Sequence, residues 1–207
     1  MVAARAAAAG AATVGGTSPP GTAAVGASKV GYDNGAFRML IRTPKFRTVS
    51  DTQFEGRAVR SDLVALSDVA VEADAEKVSP TQLAYGLTCR RGANGEFYAG
   101  LLYSEGQATI EQIAAPGARG GGILGSAQLS TASTPGRKHL RLECSGAAGG
   151  AMTVKLFLNG TPVVAGADPE ALAASPVGMF AFASDGVPAE VAFDNFEVKT
   201  LPAAPLR

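Results

Sequence analysis

The chain has 207 residues, with 18 Lys+Arg against 18 Asp+Glu, and such a balance gives no general attraction to nucleic acid or to an anionic membrane. Hydrophobic residues make up 46%, enough to core one domain, but aromatics reach only 6% and Trp is absent, which thins the stacking surfaces that sugar and single-strand nucleic-acid sites use. No run approaches the roughly 18 consecutive apolar residues of a transmembrane helix.

In chain order, residues 1–29 form an Ala/Gly-rich low-complexity segment. Arg5 ahead of a small-residue run gives it a faint likeness to a secretory signal, although Ala and Gly are less apolar than the core of such signals. A flexible tail or a piece of an upstream linker fits the same composition. A single β-domain is expected over residues 30–200, followed by a short tail at 201–207.

After the turn signal Asp33-Asn34-Gly35, Phe37, Met39 and Ile41 alternate with Arg38 and Arg42, and Pro44 ends the run. Ser61–Leu66 has apolar spacing that fits a helical turn. From Asp68, however, Val69, Val71, Ala73 and Ala75 alternate with Ala70, Glu72, Asp74 and Glu76, which is strand periodicity. Tyr85, Leu87 and Cys89 alternate with Gly86, Thr88 and Arg90. Phe97–Tyr103 and Ala108–Ile113 flank a Ser104-Glu105-Gly106 turn. Pro116–Gly125 lacks the Lys-Ser/Thr ending of a phosphate-binding loop and reads as a flexible connection.

Leu140, Leu142 and Cys144 then alternate with Arg141 and Glu143, and Val154, Leu156 and Leu158 alternate with Lys155 and Phe157. Asn159-Gly160 suits a type I′ turn. Val177–Ala183 and Pro188–Lys199 supply the last strands. In the final one the apolar phase shifts from Val191 and Phe193 to Phe196 and Val198, which predicts a β-bulge at Asp194-Asn195. Roughly nine to twelve short strands and almost no helical pattern predict an all-β, two-layer antiparallel sandwich.

Ala84–Arg91, His139–Gly146 and Val191–Lys199 read as neighbouring strands. If Cys89 and Cys144 sit opposite each other in an antiparallel pair, Arg90 and Glu143 also fall opposite on the outer face. The cysteines are then either a disulfide or two buried thiols. A bridge would imply an oxidising compartment.

The series YDNGAF, VEADA, YGLTCRR–FYAGLLYSEG–ATIEQI, LRLECSG–VKLFLNG and VAFDNFEV resembles a bacterial concanavalin A-like (laminin G-like) jelly-roll domain, distantly similar to DUF1080 domains. The resemblance implies a jelly roll and an envelope setting. Such domains typically open with an Asp-Asp-Phe strand, whereas Ala/Gly-rich sequence stands there in this chain. The first strand is therefore expected to be missing, replaced or supplied by another chain.

Glu72, Asp74 and Glu76 project from one strand face and match the E-x-D-x-E signature of family 16 glycoside hydrolases, which share the jelly roll. There the first Glu is the nucleophile, the last the acid/base, and the Asp tunes the pair; retaining hydrolysis needs carboxyls about 5–5.5 Å apart. Asp194 and Asn195 are candidate Ca²⁺ ligands, against local backbone capping at a bulge. No other cofactor is expected. His139 reads as a lone surface histidine.

The first functional expectation is a non-catalytic binding module for glycan or protein, extracellular or at the cell envelope, with a cytoplasmic or virion setting left open. The alternatives are a structural subunit joined through its N-terminal segment or an open sheet edge, and a retaining glycosidase using Glu72 and Glu76.

Overall fold

The computed structural model describes residues 28–33, 35–42, 46–51, 68–79, 81–90, 96–114, 121–130, 134–147, 149–173, 177–183 and 186–202. They form thirteen strands and no helix: β1 (Ser28–Asp33), β2 (Ala36–Ile41), β3 (Phe46–Asp51), β4 (Val69–Lys77), β5 (Ala84–Cys89), β6 (Phe97–Tyr103), β7 (Gln107–Ile113), β8 (Gly122–Gln128), β9 (Lys138–Gly146), β10 (Met152–Leu158), β11 (Thr161–Asp168), β12 (Gly178–Ala183) and β13 (Ala189–Thr200). One sheet has seven strands in the order β1-β2-β13-β4-β9-β10-β11. The other has six, β3-β12-β5-β6-β7-β8. The two face each other as an antiparallel jelly-roll sandwich.

Period-two patterning places the core. Met39, Ile41, Val71, Leu140, Leu142 and Val191 from the larger sheet meet Tyr85, Leu87, Leu102 and Met179 from the smaller, all buried. Each fully buried side chain of this kind contributes roughly 1.5–3 kcal/mol over its exposed state. On the opposite face of the six-stranded sheet, Phe97, Ala99, Leu101, Ile113 and Phe180 make a second buried cluster. The seven-stranded sheet carries no such outer cluster among the described residues, and its outer face is polar.

Local signals act where the residues require them. Asn159 and Gly160 both have positive φ, 51° and 80°, and join β10 to β11 with Leu158 opposite Thr161. In β13 the register slips between Asp194 and Glu197, where they face Asp74 and Glu72 of β4. Asn195 there has φ of 51°, so the predicted bulge is present.

Several expectations are corrected. The three strands are not neighbours. β4 separates β9 from β13, and β5 lies in the other sheet. The Cys89–Cys144 disulfide therefore crosses the interior from sheet to sheet, with Cα atoms 6.7 Å apart. Alternation assigns a residue to a face but not to a sheet, and two inward faces meet in the core. The Arg90–Glu143 pairing falls with the register: Glu143 stands opposite Lys155 and Ala70.

Of the alternatives expected for the first strand (missing, replaced or supplied by another chain), the structure shows a strand of this chain at that edge of the sheet. β1 pairs with β2 along its whole length, Ser28 to Ile41 through Asp33 to Ala36, so the chain supplies that strand from within and just beyond its Ala/Gly-rich segment.

The glycine-rich connection is strand β8 from Gly122 onward, paired with β7; residues 115–120 lie outside the described set. Its glycine has a packing reason. A Cβ on Gly125 would lie 2.3 Å from the Ala165 carbonyl oxygen, and one on Gly166 would lie 2.8 Å from Leu124 Cβ. β8 and β11 thus close one side of the sandwich by backbone contact that side chains would wedge apart. Gly125→Val is expected to lower the urea midpoint by the equivalent of about 2–3 kcal/mol, measured by far-UV circular dichroism against wild type.

Next to the disulfide, a buried polar cluster fastens the loop after β11. The Arg90 guanidinium donates to the Leu172 carbonyl at 3.1 Å and to the Gly146 carbonyl. Asp68 Oδ1 accepts the Gly146 N–H at 2.7 Å. The Tyr98 hydroxyl donates to Asp168 Oδ2 at 2.5 Å and accepts the Leu172 N–H at 3.2 Å. Burial, then the bond to Asp168, pushes the Tyr98 phenol up to about 12.

Candidate functional site

The registers of β13, β4, β9, β10 and β11 stack outward-facing side chains of the seven-stranded sheet into cross-strand rows. One row runs Lys199, Ala70, Glu143, Lys155 and Ala165. The next runs Glu197, Glu72, Arg141, Phe157 and Pro162. A third runs Asp194, Asp74 and His139. Directly opposed side chains in such rows are close enough to interact, as Glu72 does with Arg141, Arg141 with Phe157 and Asp74 with His139.

Glu72 is the centre. It is 7% exposed and accepts a hydrogen bond from Lys199 Nζ at 2.8 Å. Arg141 Nη1 lies at 3.3 Å and His139 Nε2 at 3.8 Å from its carboxylate. Lys199 is shared with Glu197 at 3.1 Å, and its ammonium pKa is raised, chiefly by the hydrogen bond to Glu72 and then by that to Glu197. Arg141 is shared with Glu143 and passes over the Phe157 ring with its guanidinium carbon 5.5 Å from the centroid, within cation–π range.

Asp74 organises the neighbouring row. Its Oδ1 lies 3.0 Å from His139 Nδ1, and its Oδ2 accepts the Asn195 amide at 2.7 Å. A carboxylate only accepts, so Nδ1 carries the proton and Nε2 is left facing Glu72 and solvent. The bulge explains Asn195: one extra residue in β13 re-aims that side chain onto the sheet face. Arg137 completes the row, 3.4 Å from Asp194 Oδ2 and 4.0 Å from Asp74.

Burial alone would raise the Asp74 carboxyl, but the hydrogen bonds from Asn195 and His139, with the His139 and Arg137 charges, hold it below its ordinary value. A depressed carboxyl pKa adds stability that is present above the unfolded value and lost as pH falls through the folded one. Asp74→Asn is expected to flatten the stability–pH curve on the acid side, below about pH 4, read as urea midpoints across a pH series.

The structure brings two of the three sequence-predicted acids, Glu72 and Asp74, into one ion-paired network. Glu76 is exposed and lies within electrostatic reach of Arg38. Asp194 and Asn195 join the same network rather than standing apart: the Asn195 N–H bonds Asp194 Oδ1 at 2.8 Å, and Arg137 takes Oδ2. Among the described residues no group of three or more His, Cys, Asp or Glu is arranged to hold a metal ion. His139, read from sequence as a lone surface residue, is at the surface but not alone: it bonds Asp74 and faces Glu72. The signal that could have found it is its i, i+2, i+4 spacing with Arg141 and Glu143 on an outward face.

No family model matches the chain, and neither does any curated protein. Solved structures do match in shape. A Bacillus subtilis protein of unknown function with a galectin-like fold aligns over 86% of this chain and 88% of its own, with TM-score 0.57 and 10% identity. The GH43 BlXynB protein from Bacillus licheniformis aligns over 80% of this chain but 33% of its own, with TM-score 0.54 and 14% identity. A Bacillus licheniformis β-glucanase aligns over 86% and 84%, with TM-score 0.50 and 8% identity. At these identities the likeness is one of fold, and it agrees with the strand order: the chain folds as a galectin-like, concanavalin-like jelly-roll sandwich.

Proposed function

We propose that this chain is a glycan-binding module whose ligand face is the outer surface of the seven-stranded sheet. The observation that carries the reading is the set of three adjacent rows centred on Glu72, Asp74, His139 and Arg141. There donors and acceptors hold one another in fixed positions beside the half-buried Phe157 ring. Sugar hydroxyls need both kinds of partner at short spacing, and the C–H face of a pyranose packs on an aromatic ring. Side chains already locked by ion pairs lose little further rotamer freedom on binding.

The fold neighbours support the reading only in that this architecture also occurs in carbohydrate-active proteins. Retaining hydrolysis at Glu72 and Glu76 has less behind it, because Glu72 is engaged by Lys199 and Arg141 and Glu76 stands at the margin of the network. The assembly-subunit reading leaned on the Ala/Gly-rich N-terminal segment, of which residues 1–27 lie outside the described set, and on an open sheet edge or missing first strand; the β1–β2 pairing leaves the second of these with less behind it. The interior disulfide supports an extracellular or envelope setting, where such bonds form and persist.

The test is affinity electrophoresis through gels containing soluble polysaccharides, comparing wild type with Arg141→Ala and Phe157→Ala. At least one polysaccharide is expected to retard the wild type, and each variant should weaken that retardation about tenfold or more, the loss of one good contact. Equal retardation of wild type and both variants would refute this face as the site.

A further inference from the structure

We infer that the face takes uncharged glycans and turns away polyanionic ones. The inference rests on the glycan-binding reading and adds the ligand class to it. Its ground is how the charges on the face are already spent. A uronate or sulfate group is held by guanidinium or ammonium groups with free hydrogen-bonding directions. Here three of the four such cations are each shared by two carboxylates. Arg141 is held by Glu72 and Glu143, Lys199 by Glu72 and Glu197, and Arg137 by Asp194 and Asp74. Lys155 stands opposite Glu143 in the register.

The balance is also acidic. Among the described residues of β4, β9, β10 and β13 and the segment entering β9, Arg137, Arg141, Lys155 and Lys199 face outward with Glu72, Asp74, Glu76, Glu143, Glu190, Asp194 and Glu197, and Glu190 is paired with Arg38 of β2. His139 adds a positive charge only when protonated. An approaching anion would have to compete with built-in carboxylates at Arg141, Lys199 and Arg137, and would meet an excess of like charge on the way to Lys155 as well. Hydroxyl groups face neither obstacle, since they donate to the carboxylates and accept from the cations without net charge. Phe157 and Pro162, opposite each other in β10 and β11, add an uncharged shelf at the end of the central row.

The experiment uses polymer pairs that share a backbone and differ in charge: hydroxyethyl cellulose with carboxymethyl cellulose, methyl-esterified with de-esterified homogalacturonan, and dextran with dextran sulfate. Binding of the full chain to each is measured by biolayer interferometry at about 0.05 M and about 0.5 M NaCl, which bracket strong and weak screening. The neutral member of at least one pair is expected to bind, with an affinity that changes less than about twofold between the two salts, and its acidic counterpart to bind about tenfold or more weaker at the lower salt. An acidic member bound more tightly than its neutral counterpart, with affinity falling as salt rises, would overturn the inference and leave glycan binding standing. If no member of any pair binds, the glycan-binding reading falls and takes the inference with it. A second measurement uses Glu143→Gln/Glu197→Gln, which frees one side each of Arg141 and Lys199. Once its unfolding is shown to stay cooperative, this variant should narrow the neutral-over-acidic preference by about threefold or more; an unchanged preference would contradict the role given to those carboxylates.

Discussion

Replacing Cys89 and Cys144 together by alanine is expected to cost about 4 kcal/mol and to lower Tm by about 10 °C. The bond closes a loop across a sequence separation of 55 residues, and in the chain-entropy model a loop of that length removes about 4 kcal/mol of freedom from the unfolded chain. Its position makes the native side equally demanding. Both cysteines are fully buried, one in each sheet, so the bond joins layers otherwise tied by side-chain packing, the β8–β11 backbone contact and the hydrogen bonds of Arg90 and Tyr98. Alkylation after denaturation, read by mass spectrometry, checks the premise: no label without reductant and two labels with it. Differential scanning calorimetry of the alanine pair reads the magnitude. Two labels without reductant would remove both the stabilisation and the argument for an oxidising compartment.

Arg90→Leu is expected to cost about 3 kcal/mol, the range for breaking a buried charged interaction from one side. Arg90 is 1% exposed and sits just past β5 with φ of 50°, a conformation that turns it out of the strand direction. Burial lowers its pKa against the opposing influence of Asp68 and Tyr98. Leucine matches much of its volume but leaves the Gly146 and Leu172 carbonyls without their donor and Asp68 without its neighbouring cation. The loss should appear as a lower urea midpoint and as faster amide exchange around Leu172, because the loop after β11 is held by this residue together with Tyr98. A midpoint shift of less than about 1 kcal/mol would show that water replaces the guanidinium at little cost.

Much of the fold was legible because alternation reports a strand directly. Leu140, Leu142 and Cys144 against Arg141 and Glu143 gave β9, Asn159-Gly160 gave the β10–β11 turn, and the phase slip after Phe193 gave the bulge. What alternation cannot report is which sheet a strand joins, so Cys89 and Cys144 were paired along a sheet when they pair across the sandwich. Composition misled at Gly122–Gly125. Glycine usually marks a loop, but here it permits the close backbone approach of β8 to β11. The site was half legible. Glu72 and Asp74 shared a face by spacing alone, while Asn195, Lys199 and His139 reach them from strands far apart in sequence, through a register that only the folded sheet supplies.

The most direct test of a ligand face on the seven-stranded sheet is a ¹H–¹⁵N correlation spectrum of the labelled chain, titrated with the neutral polysaccharide oligomer that binds best. Shifts are expected to concentrate at Glu72, Asp74, His139, Arg141, Phe157 and Asn195, with β5, β6 and β12 unmoved. Shifts confined to the six-stranded sheet or to the strand-end loops, with those six residues unchanged, would contradict it.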